Sequence, residues 1–486
     1  MDNSLIKALQ IILISLGLAL LFNILFFDKQ PGISVFIFTV VLLGSVYYFG
    51  KLQQLRFGKS WWLMVLIAFF SLMPGIRDNP FLNFLNVCAA LSLLMLLAYE
   101  LIGTPAWLMR LRDYVVLMVF GPFRMLRTAF TAVSLVGQIH SNVRHRDVWI
   151  RIIKGIVMAV PVLIIFGVLF SQADLVFSQF VKSFIHISLS PRSVQYLVLL
   201  CIAFVSALGF LSYIFFPKFI PSVSSTEQSY KIVPGKEIEV LVFLSLIATL
   251  FLVFIGFQIT YLFGGESNIL NAGFSYAEYA RRGFWELLAV AIISLAILLA
   301  SEWYAGVESK KEKKFLIPAL ILIAEVIVVI ISAFKRLSLY IDVYGMTMLR
   351  FYVAGFIILL LGLFILLAVK FILSKPEQFF AFNMVLLFAA FLIIINFINP
   401  DGFIIQSNIR QYVRTGKVDS LYARELSADA VPGEIELYGM LQGVDKEGLK
   451  NLLLFEKGDL QERKADWQSI NYSRAQALKL LEGLSN

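Results

Sequence analysis

Four charged residues crowd the stretch "SYAEYARRGFWELLAV" at positions 275–290: Glu278, Arg281, Arg282 and Glu286. On a helix, Glu278 lies one turn from both arginines, and Arg282 lies one turn from Glu286. In water such pairs give only ~0.2–0.5 kcal/mol each. Here they stand where a long apolar run begins, with Tyr276, Tyr279 and Trp285 around them, as suits a self-neutralised anchor at head-group level. That reading covers Glu278 and Arg281. Glu286 lies deeper, more than one turn inside the apolar run.

Other polar residues share that depth. Gln258 is near the end of one apolar run, Arg350 is one turn into another, and Asn396 and Asn399 close a third. Polar side chains inside spans usually face a bundle interior or a wet cavity. The expectation is an outward-facing polar pocket made by Gln258, Glu278, Arg282, Glu286, Arg350, Asn396 and Asn399, with Asp342, Asp401 and Arg410 at its rim. Such a pocket could hold a small molecule, a lipid head group or an ion. Glu286 and Arg350 are expected to couple across it. Glu325 stands apart as the one charged residue within "FLIPALILIAEVIVVIISAF". It is expected to be carried neutral, hydrogen-bonded to a carbonyl or hydroxyl, either as a tolerated polar spot or as a proton relay.

Familiar catalytic signatures are missing. The sequence has no phosphate-binding glycine loop with Lys-Ser/Thr, no dinucleotide fingerprint, no G-x-S-x-G and no H-E-x-x-H. The three histidines, His140, His145 and His186, do not cluster, so no metal or cofactor is expected. Cys88 and Cys201 both sit in apolar runs and read as small packing residues. No catalytic residue can be named.

The elements that would position these groups follow from composition. The 486 residues are 59% hydrophobic and only 15% charged, with mean hydropathy +0.84. Apolar stretches of twenty residues or more recur, each long enough for a hydrocarbon core of ~30 Å. They are continuous rather than alternating, which excludes a β-barrel. The fold expected is all-α: a polytopic bundle of eleven spans at 5–27, 32–50, 60–74, 81–102, 150–171, 194–216, 238–263, 282–303, 315–334, 346–371 and 379–398. The first span reads as retained rather than as a cleaved signal.

The net charge of +9 falls in short loops rather than on a groove-binding patch, so no nucleic-acid partner is expected. "KLQQLRFGK", 103–149, 217–237, "VESKKEKK" and "KFILSKPE" are rich in Lys and Arg, and they alternate with poorer loops, among them "FDKQPG" and "RDNP". The positive-inside rule then makes the N-terminus cytoplasmic and the tail extracytoplasmic. Residues 103–149 hold "YVVLMVFGPFRMLRTAFTAVSLV", where Gly121-Pro122 is expected to interrupt one or two interfacial helices. Arg110, Arg112, Arg124, Arg127, Arg144 and Arg146 would there meet anionic lipid. Four parts result: spans 1–102, the interfacial segment 103–149, a seven-span part 150–399, and a small, mostly helical tail 400–486.

Several stretches resemble a bacterial family of multi-spanning membrane proteins known as domain of unknown function 4153/4173. They are "LFSQADLVF", "SYAEYARRGFWEL", "YGMTMLRFYV", "NPDGFIIQSNIRQY" and "LYARELSADAVPG", in order from about residue 166 to 433. The resemblance implies a bacterial inner (cytoplasmic) membrane and singles out Asp174, Glu278, Arg282, Glu286, Tyr344, Arg350, Asp401 and Asn408. It implies no activity. Three functions compete: a transporter or permease-like protein, which is preferred; an enzyme acting on a lipid-linked substrate through Glu286 or Asp401; and a scaffold or sensor whose tail binds a partner.

Overall fold

The computed structural model describes residues 3–55, 57–58, 60–103, 105–136, 191–216, 236–262, 284–305, 313–416, 420–463 and 466–483. Among them are fifteen α-helices, a few short 3-10 turns and no strand. The first six helices are α1 (Asn3–Phe26), α2 (Ile33–Leu52), α3 (Trp61–Leu72), α4 (Pro80–Leu101), α5 (Leu111–Val136) and α6 (Pro191–Phe215). The next five are α7 (Lys236–Leu262), α8 (Phe284–Ala305), α9 (Lys313–Tyr344), α10 (Met348–Ile372) and α11 (Glu377–Ile398). The tail holds α12 (Pro400–Thr415), α13 (Val431–Met440), α14 (Gly443–Arg463) and α15 (Tyr472–Glu482).

Nine described helices are long and apolar enough to cross a membrane: α1, α2, α4 and α6 to α11. They match nine of the eleven expected spans. The third, expected at 60–74, is a shorter apolar helix over Trp61–Gly75. Its α-helical part has 12 residues, about 18 Å at 1.5 Å per residue, and it tightens to a 3-10 turn at Met73–Gly75, where Pro74 stands. The span expected at 150–171 lies outside the described residues.

Residues 111–136 depart from the expected break. They form one helix that runs through Gly121-Pro122. Pro122 removes one backbone donor without ending it. Gly121 admits Met95 of α4, whose Sδ would lie 2.9 Å from a Cβ placed there. α5 packs against α6 and α1. Gly209 makes this close: a Cβ on it would sit 2.6 Å from the Met125 carbonyl oxygen. Thr128 Oγ1 lies 3.2 Å from the Gly209 carbonyl. Tyr114, Leu117, Met125, Ala129 and Ala132 are buried there, while Val115, Val119 and Phe123 stay exposed.

Two apolar cores share α10 and α11. One joins α1 to α6 with Phe351, Ala381, Leu392 and Ile395. The other joins α7 to α10, with Phe380 from α11. Helix ends meet in a consistent order. Lys7 near the start of α1 stands over the rings of Phe215 and Phe216 at the end of α6. At the opposite end Asn23 donates to the Tyr196 carbonyl, and Arg192 pairs with Asp28. Glu239 at the start of α7 accepts from Tyr304 at the end of α8. The tail has its own core, including Ile405, Val431, Leu437, Leu449, Leu453 and Leu478.

α9 runs 32 residues, about 48 Å, and so outlasts the expected span 315–334 by ten residues. The stretch 335–345, expected as a loop, is helical to Tyr344 because nothing breaks it before Gly345, whose φ is +81°.

Candidate functional site

The densest polar site lies where the tail meets the loop "RDNP". Asn79 and Pro80 start α4: the Asn79 side chain accepts from Leu82 N at 2.8 Å, and Pro80 fills the first helical position. That turn leaves the backbone donors of Asp78 and Asn79 pointing at the tail. Asp429 Oδ2 accepts both, at 2.7 and 3.0 Å. Its other oxygen lies 2.5 Å from Ser473 Oγ and 3.6 Å from Arg77. Asp401, in the first turn of α12, accepts from Asn79 Nδ2 at 2.8 Å and from Ser427 N and Oγ at 3.1 and 2.5 Å. Asp78 takes the Arg474 guanidinium at 2.5 Å. Asn471 donates to the carbonyls of Pro74 and Arg77.

Below this layer, Asn86 of α4 and Asn396 of α11 exchange side-chain hydrogen bonds at 2.9 and 2.7 Å. Arg77 Nε donates to the Asn396 carbonyl at 2.9 Å. Asn399 holds a left-handed turn, φ +57°, between α11 and α12, and its side chain caps α12. A cleft of about 220 Å³ opens here, bordered by Arg77, Asn399, Gln406, Asp429, Tyr472 and Gln476.

Burial sets the electrostatics. It pushes the Asp401 carboxyl above the usual range, opposed by the Ser427 hydrogen bonds and reinforced by Asp429. It likewise raises Asp78, against the pull of Arg474. Glu434 of α13 is held well above the usual range by burial, with Glu456 and Asp401 adding to the shift.

A second cluster clamps the turn between α9 and α10. Arg350 donates to the carbonyls of Tyr344 and Gly345 at 3.0 and 2.5 Å and stands 4.2 Å over the Tyr340 ring. It therefore caps the last carbonyls of α9 from the neighbouring helix. Asn408 of α12 brackets Met346, accepting from its N–H at 2.8 Å and donating to its carbonyl at 3.0 Å. Gln411 reaches the carbonyls of Asp342 and Val343, and the Tyr422 hydroxyl accepts from Met348 N. Arg350→Met is expected to lower stability in detergent by about 1–3 kcal/mol, since a charge-assisted cap and a ring contact are both lost. Arg350→Lys should recover only part, because lysine lacks the planar fork. Unchanged unfolding of Arg350→Met would show that the cap carries no weight.

Three further polar groups lie inside the second core. Lys370 near the end of α10 pairs with Glu302 near the end of α8, both enclosed. Gln258 of α7 accepts from Ser332 Oγ at 2.8 Å and from Arg336 at 3.1 Å, both on α9. Glu325 is 7% exposed, and its Oε2 has no hydrogen-bond partner among the described residues. Leu322, Ile323, Val326 and Val329, buried near it on α9, are apolar.

The described residues expected to share one pocket lie in several polar groups. Asn396, Asn399 and Asp401 do come together, in the junction with the tail. Gln258 sits with α9, and Arg350 turns to backbone carbonyls. Glu286 is exposed in the first turn of α8, and Arg410 is exposed on α12. Asp342 is exposed too, 3.7 Å from Arg414. Arg350 Nη1 goes instead to the carbonyls at the end of α9. Asp174, Glu278 and Arg282 lie outside the described residues. Sequence reasoning missed Arg77, Asp78, Asn79, Asn86, Asp429, Ser473, Glu302 and Lys370. A usable signal existed for the first group: "RDNP" is a capping turn, and "SADAVPG" carries Asp429.

Nine described helices of membrane length, with a helical tail locked to one end, define a multi-pass integral membrane protein. More particularly, the chain belongs to the family described as Domain of unknown function (DUF4153), whose model matches residues 64–437. That match starts at α3, about a hundred residues before the first motif. No curated protein and no solved structure matches the chain.

Proposed function

We propose that the protein is a transporter or permease-like protein of a bacterial inner membrane, working through α7 to α10, with the tail on the extracytoplasmic side. One observation carries this. A single group of four helices buries ionisable and polar side chains at three levels: Glu302 with Lys370 near one end, Glu325 midway, and Gln258 with Ser332 and Arg336 towards the other. Glu325, Ser332 and Arg336 are spaced by seven and four residues, so they share one face of α9. Helices that only anchor a protein have no need of such groups, which in membranes mark ion and substrate paths. Against an enzyme on a lipid-linked substrate stands the state of Asp401, fully buried and held by Asn79 and Ser427. A sensor or scaffold is the second reading, favoured by the tail's exposed Val444 and Phe455 on α14. Arg110 and Arg112, exposed beside the start of α5, would meet anionic head groups.

Cysteine accessibility tests both the path and the orientation, in a chain with Cys88→Ala and Cys201→Ala. A cysteine at Ser332 is expected to react with a small water-borne thiol reagent, whereas one at the exposed, lipid-level Ile331 is expected to stay silent. A cysteine at Ser420 should react with an impermeant reagent in cells whose outer barrier is opened. Silence at Ser332 would mean a dry, purely structural helix group. Protection at Ser420 would reverse the orientation.

A further inference from the structure

We propose that the segment Asp466–Tyr472 anchors the tail in the lipid leaflet on its own side of the membrane, with Trp467 and Ile470 at head-group depth. The depth follows from hydrogen bonds. Gln468 Nε2 donates to the carbonyl of Ile24, which lies inside α1, two residues before its end. Ser469 Oγ donates to the Gln30 carbonyl at 2.9 Å, and Ile33 N donates to the Ile470 carbonyl at 2.9 Å. The segment therefore runs beside the last turn of α1 and the first turn of α2, not above them. Gly32 permits this, since a Cβ on it would stand 2.7 Å from the Ile470 carbonyl oxygen.

The side chains sort by polarity in the way an interface demands. Gln468, Ser469 and Asn471 turn inward and are buried, while Trp467, Ile470 and Tyr472 are 54%, 58% and 63% exposed. The two spans it touches also carry exposed apolar residues, Leu20 and Ile24 on α1 and Val40 and Val41 on α2. Exposed apolar side chains on membrane-length helices suit lipid tails, and the segment meets α1 at Ile24, one of them. Tryptophan and tyrosine suit that level, with an apolar body and a polar tip. Asp466, next to Trp467, pairs with Lys29 at 2.5 Å, which neutralises the charge nearest the lipid. A partner protein would need no sorting tied to the depth of α1, and so lipid is the occupant the geometry favours.

The test uses full-length protein with Cys88→Ala and Cys201→Ala, carrying one nitroxide-labelled cysteine at Trp467, Ile470 or Val444. It is reconstituted in vesicles of phosphatidylcholine and phosphatidylglycerol. The ratio of oxygen to nickel-chelate collisions is expected to be severalfold higher at 467 and 470 than at 444, which is 86% exposed on α14. A water-like ratio at both positions overturns the proposal. Low collision with both reagents also overturns it, in favour of cover by a second copy of the chain. Because a label could disturb docking, an unlabelled comparison stands beside it. Trp467→Phe is expected to reduce the emission quenched by lipids brominated near the head group, and unchanged quenching would equally sink the anchor.

Discussion

Lys370→Met is expected to destabilise the protein by about 3–5 kcal/mol, and adding Glu302→Gln should return much of that loss. Lys370 has no solvent-exposed side-chain surface and Glu302 has 5%. The ammonium lies between the rings of Phe371 and Phe380, 5.6 and 5.5 Å from their centroids. Taking either charge out of water is costly, and their mutual attraction offsets the cost only while both are present. Removing the lysine takes away the counter-charge that touches the buried Glu302 carboxylate. Removing both charges leaves a neutral amide, whose burial is far less costly. Unfolding in detergent of wild type, both single variants and the double variant gives the coupling directly. Additive losses would show that the two groups do not depend on one another.

Asp429→Ala is expected to loosen the tail from the membrane bundle, at a similar cost of about 3–5 kcal/mol. The aspartate is buried and accepts from the Asp78 and Asn79 backbone N–H groups and from Ser473, with Arg77 beside it. Each buried donor left without an acceptor costs about 1–3 kcal/mol, and Arg77 loses its nearest counter-charge. Limited proteolysis should then cut within 416–430 faster than in wild type, while the spans stay protected. Unchanged cleavage and unchanged unfolding together would show that the latch lies elsewhere. The same junction should respond to pH. Burial raises the folded-state pKa of Asp401 above its unfolded value, so its stabilising share is full below the unfolded pKa and is lost as pH rises through the folded one. Wild type should therefore lose stability relative to Asp401→Asn as pH is raised from about 4 upward. A gain relative to that variant over the same range would mean an ionised, well-paired carboxylate.

Four of the eight motif positions fall in two junctions, the latch of the tail and the turn between α9 and α10. Tyr344 and Arg350 flank the turn between α9 and α10, and Asn408, far along the chain, acts on it too. Asp401 acts on the latch. Both junctions position helices and the tail. Lys370 shows the opposite case. In sequence it opens the basic loop "KFILSKPE" and reads as an orientation signal, whereas in the fold it is enclosed against Glu302.

What the sequence determined by itself was the membrane class, nine of the span positions and the helical tail. Each of these rests on local chemistry. A span is a continuous apolar run because only a helix satisfies its backbone within one segment in lipid, and the run is visible without knowing its neighbours. Only the tertiary structure decided which polar residues meet. Residues at equal depth on different spans can lie side by side or a bundle's width apart, and depth was all that hydropathy supplied. Thus Arg350, matched in depth with Glu286, donates to the carbonyls at the end of α9. Asp429 and the "RDNP" turn, 350 residues apart, were joined because a buried turn's N–H groups must find an acceptor wherever the fold brings one.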